Sequence, residues 1–232
     1  MRKRFGSSMT AAVVVVVAFA APASAATLAN WQMNEGASAS VMIDSSGHVN
    51  GTIGSDVVTG FKFNGATGYH WPFVSPTQPP AHPGRIVQAN SSSLNPNSGN
   101  YTVTIRYRTT KHFGNIVQKG QAGSSGGYFK LENPNGQLTC VFRGTNSSGS
   151  FLRKQVVSGV LSDGQWHTVR CARTASALTL TVDGSVVATA HGSSGNITNN
   201  RPISIAGKIN CDQIKTTCDY FTGDIDYITI TN

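Results

Sequence analysis

Short segments in which apolar and polar residues alternate recur along the chain, separated by Gly, Asn, Asp and Ser. A period of two is typical of a β-strand with one face in a core and the other in solvent. In the clearest example, Tyr101–Arg108, the pattern predicts that Tyr101, Val103, Ile105 and Tyr107 point inward and that the residues between them point outward. Helical periodicity is almost absent, so the sequence predicts an all-β protein.

The same alternation occurs in Leu138–Phe142, His167–Cys171 and Ala177–Val182, and Asp183-Gly184 predicts a tight hairpin turn after the last of these. At least a dozen such strands fit into residues 26–232, and no long Pro/Ser-rich linker divides them. We therefore predict one domain built as a two-sheet antiparallel β-sandwich. The proline-rich stretch 68–84 is predicted to be a long surface loop.

The first 25 residues have a different composition. A basic segment, Arg2–Arg4, precedes an apolar run at 11–21 and a small-residue site that ends at Ala25. This arrangement predicts a secretory signal peptide that is cleaved after Ala25. The run is shorter than the roughly 20 residues that span a bilayer, so no membrane insertion is expected after cleavage. The mature protein is predicted to be extracellular.

Charged residues make up only 12% of the chain, and the formal net charge is +8. No long run of Lys and Arg follows the signal, which argues against nucleic acid as a partner. Export favours disulfide bonds between the four cysteines, for which three pairings are possible. We choose Cys140 with Cys171, which lie in alternating segments, and Cys211 with Cys218, which enclose a short polar loop. A zinc site is disfavoured because the sequence has no CxxC motif.

Several segments, in this order along the chain, resemble the laminin G-like, concanavalin A-like jelly-roll superfamily. They include Trp31–Gly36, Ile116–Gly120, Asp163–Val169, Leu180–Gly184 and Phe221–Ile228. The resemblance implies a jelly-roll of two packed antiparallel sheets. The superfamily includes glycan-binding and adhesion modules as well as glycosidases and polysaccharide lyases, so function has to be argued from the site.

Sugar binding generally uses aromatic rings flanked by hydrogen-bonding side chains, and acidic sugars favour arginine. Tyr69, His70 and Trp71 gather at the start of the predicted loop, and Arg106 and Arg108 project from the outer face of their strand. These five residues are the predicted ligand site. The alternative is that the aromatic residues pack beneath their own loop and that the arginines form a solvated face.

A structural calcium ion is also predicted, because the turn that begins at Asp44 is rich in oxygen ligands. The resemblance implies that this turn lies beside the closing strand. The predicted ligands are Asp44 and Asp226, with Asn50 and Thr52 helping through side-chain or carbonyl oxygens. The alternative is that Asp44 caps its turn and that Asp226 binds a backbone amide.

Catalysis is less well supported by the sequence. A glycosidase needs two carboxylates across a cleft, and the nearest acidic pair, Asp224 and Asp226, lies in the closing strand. A lyase needs a base and an acid, often His and Tyr, and several such residues are present. We therefore predict a secreted, monomeric, non-catalytic module that binds a carbohydrate or glycoconjugate, including acidic ones. The alternatives are a polysaccharide lyase or hydrolase, and an adhesion protein with a protein partner.

Overall fold

In the computed structural model, residues 25–74, 84–209 and 218–232 are described. Residues 1–24 of the predicted signal peptide and Cys211 lie outside these ranges. The described part contains two single-turn 3-10 helices, at Ser92–Leu94 and Pro134–Gly136, and neither is long or apolar enough to cross a bilayer. The strands of the described part are β1 (Thr27–Trp31), β2 (Val41–Met42), β3 (Gly51–Ile53), β4 (Val58–Phe63), β5 (Ala66–Trp71), β6 (Val87–Ala89), β7 (Tyr101–Arg108), β8 (Asn115–Lys119), β9 (Tyr128–Glu132), β10 (Gln137–Thr145), β11 (Phe151–Val160), β12 (His167–Arg173), β13 (Ala177–Val182), β14 (Ser185–His191), β15 (Ile203–Ile205) and β16 (Gly223–Thr231).

These strands form two antiparallel sheets. Sheet 1 has the order β14-β13-β12-β7-β16-β5-β4, and β1 also pairs with β16. Sheet 2 has the order β11-β10-β9-β8-β15-β6-β3-β2. Neighbours such as β7 and β16 are far apart in sequence, so many pairings are long-range. The protein is a jelly-roll sandwich, as predicted.

The core lies between the sheets and follows the predicted alternation. Tyr101, Val103, Ile105 and Tyr107 of β7 are each at most 1% exposed. Cys140 of β10 and Cys171 of β12 form a disulfide bond across the core, with their Cα atoms 6.4 Å apart. This confirms the first predicted pair and shows that it joins the two sheets. The second pair includes Cys211, which is not among the described residues.

The predicted hairpin is present at the end of β13. Asp183 and Gly184 have φ angles of 48° and 83°, the left-handed values that a tight two-residue turn requires. The predicted loop at 68–84 is wrong in its first part, because β5 continues to Trp71. The reason is that Tyr69 and Trp71 alternate with His70, so the segment has the strand period despite the prolines that follow it.

Candidate functional site

The outer face of sheet 1 carries two arginines that are each paired with an aspartate. Arg106 and Arg108 point outward because they alternate with the core residues of β7. On the neighbouring strand β16, Asp226 Oδ2 accepts a hydrogen bond from a terminal nitrogen of Arg106, and Asp224 Oδ2 accepts one from Arg108 Nε, each at 2.6 Å. Each arginine keeps about a third of its side chain exposed, so both remain accessible from solvent.

The Asp224 carboxylate also holds a histidine from the other side. His70 of β5 lies directly opposite Asp224, and its Nδ1 is 2.6 Å from Asp224 Oδ1. The Asp224 side chain is 9% exposed, and burial alone would raise its pKa. The hydrogen bonds from His70 and Arg108, together with their charges, outweigh burial and lower the pKa of this carboxyl group below its usual range. Asp224 therefore stays ionised and fixes two neighbouring side chains.

Aromatic rings cover this charged cluster. The Trp166 ring lies 4.7 Å from the guanidinium carbon of Arg106 and 5.0 Å from that of Arg108, which is cation–π geometry. Phe63 packs against Trp166 with ring centroids 4.3 Å apart, and Phe61 stacks on His70 at 4.9 Å. We call the set His70, Arg106, Arg108, Trp166, Asp224 and Asp226 the arginine–tryptophan face.

An open cavity of about 260 Å³ adjoins one end of the arginine–tryptophan face. It combines the charged groups of the face with threonine side chains and with backbone at two glycines. Its lining residues are His70, Arg108, Thr109, Thr110, Gly164, Thr222, Gly223 and Asp224. The cavity thus offers hydrogen-bond donors and acceptors beside an aromatic surface.

A second histidine lies immediately beside the tryptophan of this face. His167 Nδ1 is 2.7 Å from Asp183 Oδ2, and His167 Nε2 is 3.2 Å from Asp163 Oδ1. Burial lowers the pKa of His167, but the hydrogen bonds and charges of the two carboxylates outweigh burial and raise it above the ordinary value. The pKa of Asp163 is lowered mainly by the hydrogen bond from the Gln165 amide and further by His167. Burial raises the pKa of Asp183, but its hydrogen bonds with His167 and the Thr168 amide outweigh burial and lower it. His167 therefore ties the loop before β12 to the β13–β14 hairpin.

The second half of the chain matches a family model. The model described as "Laminin G domain" matches residues 107–232, which is more than half of the chain. The chain belongs to the laminin G domain family. The matched range includes Arg108, Trp166, Asp224 and Asp226 of the arginine–tryptophan face, whereas His70 and Arg106 precede it. A comparison with curated proteins finds no match.

Solved structures are similar to this laminin G domain at low sequence identity. The binding domain of botulinum neurotoxin serotype D has 12% identity and a TM-score of 0.60 over 88% of this chain and 47% of its own. The binding domain of botulinum neurotoxin DC, in complex with SialylT, has 12% identity and a TM-score of 0.59, also over 88% of this chain and 47% of its own. Mouse laminin alpha1 chain, domains LG4-5, has 22% identity and a TM-score of 0.49 over 61% of this chain and 37% of its own. The chain spans less than half the length of each.

Two of the five predicted ligand residues of the laminin G domain lie in its core. Tyr69 and Trp71 are 0% exposed, so the prediction that they contact a ligand is wrong. Tyr69 Oη donates to Glu35 Oε2 at 2.5 Å, and Trp71 Nε1 donates to the Arg85 carbonyl at 3.0 Å. Burial, with the help of Glu35, raises the pKa of Tyr69 far above its ordinary value. The physical reason is strand alternation, which turns His70 outward and its two neighbours inward.

The other three predicted residues, His70, Arg106 and Arg108, are brought together by the fold. Trp166 and Asp224 were not among the predicted ligand residues, although both contribute to this face. Asp224 could have been found, because it lies at an outward position of the alternating closing strand. No sequence signal places Trp166 over the two arginines, since that contact depends on how the loop before β12 folds back.

A lyase would need an accessible tyrosine or histidine pair, and three of the tyrosines are buried. Tyr69 and Tyr107 are 0% exposed, and Tyr128 is 6% exposed. A histidine–tyrosine acid–base pair therefore cannot form at the surface from these residues. The acidic pair considered for hydrolysis, Asp224 and Asp226, is engaged by Arg108 and Arg106.

Three of the four predicted calcium ligands form hydrogen bonds or ion pairs within the protein. Asp44 is 3% exposed, and its two oxygens accept five hydrogen bonds, four of them from backbone amides. Asn50 Oδ1 accepts from the Asp44 amide, while Asp226 is paired with Arg106. Thr52 lies on β3 with an exposed side chain. No group of three or more metal-binding side chains occurs within the described ranges. Calcium binding stays a prediction.

Proposed function

We propose that this laminin G domain is a secreted recognition module that binds a carbohydrate or glycoconjugate at the arginine–tryptophan face. The observation that carries the proposal is the half-buried Trp166 ring, which lies on Arg106 and Arg108 at the open outer face of sheet 1. Sugars bind to aromatic faces through their C–H surfaces, and planar guanidinium groups bind hydroxyl and carboxylate oxygens.

The charges of this face favour an acidic glycan. Asp224 and Asp226 are each neutralised by an arginine, and Arg170, which is exposed, adds a third basic side chain on the same outer face. In the described part of the chain, each of Arg106 and Arg108 uses a single nitrogen in hydrogen bonding, so each has further N–H donors for a ligand. A carboxylate or sulfate group can accept hydrogen bonds from these donors.

Secretion is part of the proposal. The predicted signal peptide supports it, and so does the disulfide bond between Cys140 and Cys171, because such bonds persist in oxidising compartments. Family membership and the similarity to structures named as binding domains support a binding role more generally.

A glycan array tests the proposed function with purified mature protein. Trp166→Ala and Arg106→Ala should each weaken binding about tenfold, because one lost hydrogen bond or stacking contact of a charged group is worth about 1.5 kcal/mol. Arg153→Ala, on the edge strand β11 of the other sheet, is the matched control and should bind like wild type. Circular dichroism confirms folding of each variant. The proposal fails if the wild type binds no glycan or if both face variants bind normally.

Recognition of a protein is the second candidate. Large apolar side chains are exposed on β11 and β14, which are edge strands of the two sheets; Phe151 is 49%, Val160 59% and Val186 65% exposed. Exposed apolar groups beside unpaired strand edges are typical of protein contacts. A pull-down that returns the same protein partner after its enzymatic deglycosylation would favour this candidate over glycan binding.

A further inference from the structure

His167 lies between two carboxylates that come from different parts of the chain. Asp163 belongs to the loop before β12, and Asp183 belongs to the β13–β14 turn. The two carboxylates are about half exposed, whereas the His167 side chain is 13% exposed. Asp183 Oδ1 also accepts from the Thr168 amide at 2.8 Å, and Asp163 Oδ1 accepts from the Gln165 amide at 2.8 Å. The ring is therefore fixed with one nitrogen toward each carboxylate.

Donor counting links this arrangement to the protonation of His167. A neutral imidazole has one N–H donor and one lone pair, whereas an imidazolium has two donors. An ionised carboxylate only accepts hydrogen bonds. Both contacts of His167 can therefore be hydrogen bonds only when the ring is protonated, and deprotonation turns a lone pair toward Asp163 or Asp183.

The loop held by Asp163 carries Trp166, the aromatic cover of the arginine–tryptophan face. The loop has few other backbone ties: the Leu161 amide donates to the Gly136 carbonyl at 2.8 Å, and the Gly164 amide donates to the Thr109 carbonyl at 2.9 Å. Among the described residues, no hydrogen-bond partner reaches the buried Trp166 Nε1. Loss of the contact between His167 and Asp163 thus removes one of the few ties that keep Trp166 over Arg106.

We propose that His167 is a positioning residue for Trp166. The protonated His167 ring holds Trp166 over the two arginines, and the neutral His167 ring releases it. The titratable group opposite His167 on β7 is Tyr107, its cross-strand partner, and the nearest charged residue of that strand is Arg106, opposite Thr168. Tyr107 is buried, which raises its pKa, so it stays neutral through the relevant range. Asp163 and Asp183 stay ionised because their pKa values are lowered. His167 is thus the group that changes charge.

Tryptophan fluorescence tests this proposal without any ligand. The chain has three tryptophans, and Trp31 and Trp71 are 0% exposed. Quenching by acrylamide therefore reports mainly on Trp166. We expect the quenching constant of the wild type to rise between about pH 5 and about pH 9, with a midpoint above the ordinary histidine value of 6.5. Trp166→Phe should remove most of the quenchable emission.

The decisive variant is His167→Gln, which cannot titrate and should lose the pH-dependent step in quenching. His191→Gln, at the exposed end of β14, is the matched control and should keep the step. If the wild-type quenching constant is flat with pH, or if His167→Gln shows the wild-type step, the proposal is overturned. Far-UV circular dichroism across the range excludes unfolding as the cause of a change.

The consequence for affinity rests on the proposed function and is measured separately. The glycan array repeated at about pH 6 and about pH 8 should show weaker binding by the wild type at the higher pH, and no such loss for His167→Gln. An array on which nothing binds contradicts the proposed function but leaves the quenching result standing. Equal loss in both proteins contradicts the role of His167.

Discussion

Asp44→Asn tests whether the Asp44 carboxylate organises the turn between β2 and β3. Oδ1 accepts hydrogen bonds from the Asn30 amide and from the amide and hydroxyl of Ser46, and Oδ2 accepts from the amides of His48 and Val49. An asparagine is nearly the same shape, but its NH2 group replaces one acceptor. The two or three N–H and O–H groups that bind the replaced oxygen would then face the NH2 group, which cannot accept a hydrogen bond. The negative charge that attracts all five hydrogen-bond donors would also be lost.

The expected cost follows from the pKa and from the lost bonds. Burial raises the pKa of Asp44, but the hydrogen bonds from Ser46, Asn30 and Val49 outweigh it and lower the pKa from 3.8 to about 2. At about 1.36 kcal/mol per pKa unit, this shift means that the ionised carboxylate stabilises the folded state by about 2.5 kcal/mol. Two buried amides left without an acceptor cost a similar amount, so we expect the free energy of unfolding to fall by about 2–4 kcal/mol.

Urea denaturation of the mature protein measures this loss. Because the folded-state pKa is lowered, the carboxylate stabilises the fold above about pH 4, and this contribution disappears as the pH falls toward 2. The difference between wild type and variant should therefore be large at neutral pH and should shrink in acid. Asp56→Asn, which changes an exposed carboxylate, is the control and should cost under about 1 kcal/mol.

Two results would contradict this role of the Asp44 carboxylate. An Asp44→Asn protein as stable as wild type would show that the five hydrogen bonds contribute little. A variant whose deficit appears only when calcium is present would show that Asp44 acts as a metal ligand and not as an acceptor for its own turn.

Three further predictions concern the disulfide bond, a close backbone contact and calcium. Replacing Cys140 and Cys171 with alanine should lower the free energy of unfolding by about 3.5 kcal/mol, the loop-closure value for a sequence separation of 31, and an unchanged urea midpoint would contradict this. Gly126→Ala should strongly destabilise the protein because its Cβ would lie 1.8 Å from the Thr198 carbonyl oxygen. Gly149 has the same left-handed backbone, but no atom of the described residues lies within 4 Å of a Cβ there, so Gly149→Ala should cost much less. Equal melting points for the two glycine variants would refute the steric argument. Removing calcium with a chelator tests the predicted calcium site. An ion that binds only the folded state raises the melting temperature, so the chelator should lower it if calcium is bound, and an unchanged melting temperature would remove that prediction.

The sequence could predict the layered architecture because alternation is a local property. The inward positions Tyr101, Val103, Ile105 and Tyr107 of β7 follow from a period of two, and the left-handed turn at Asp183-Gly184 follows from local backbone preference. The resemblance to the laminin G domain rested on motifs of the same local kind. Such features need no knowledge of which strands become neighbours.

Strand alternation also explains why the predicted ligand contacts of Tyr69 and Trp71 were wrong. His70 lies between Tyr69 and Trp71, and a strand period through this segment puts His70 on one face and the two large aromatic residues on the other. The prolines that follow suggested a loop, although they lie beyond Trp71 and do not interrupt β5. Within three residues, strand alternation therefore places Tyr69 and Trp71 in the core and His70 on the surface.

The composition of the arginine–tryptophan face was decided by tertiary structure. β16 pairs with β5 on one side and with β7 on the other, so Asp224 meets His70 and Arg108, which are 154 and 116 residues away in sequence. Neither the strand order nor the register of these pairs is encoded by alternation alone, because every strand of this period could present its polar face beside any other. Alternation along each strand is enough to predict which side chains face outward. Which of these side chains meet depends on the packing of distant strands around the shared core.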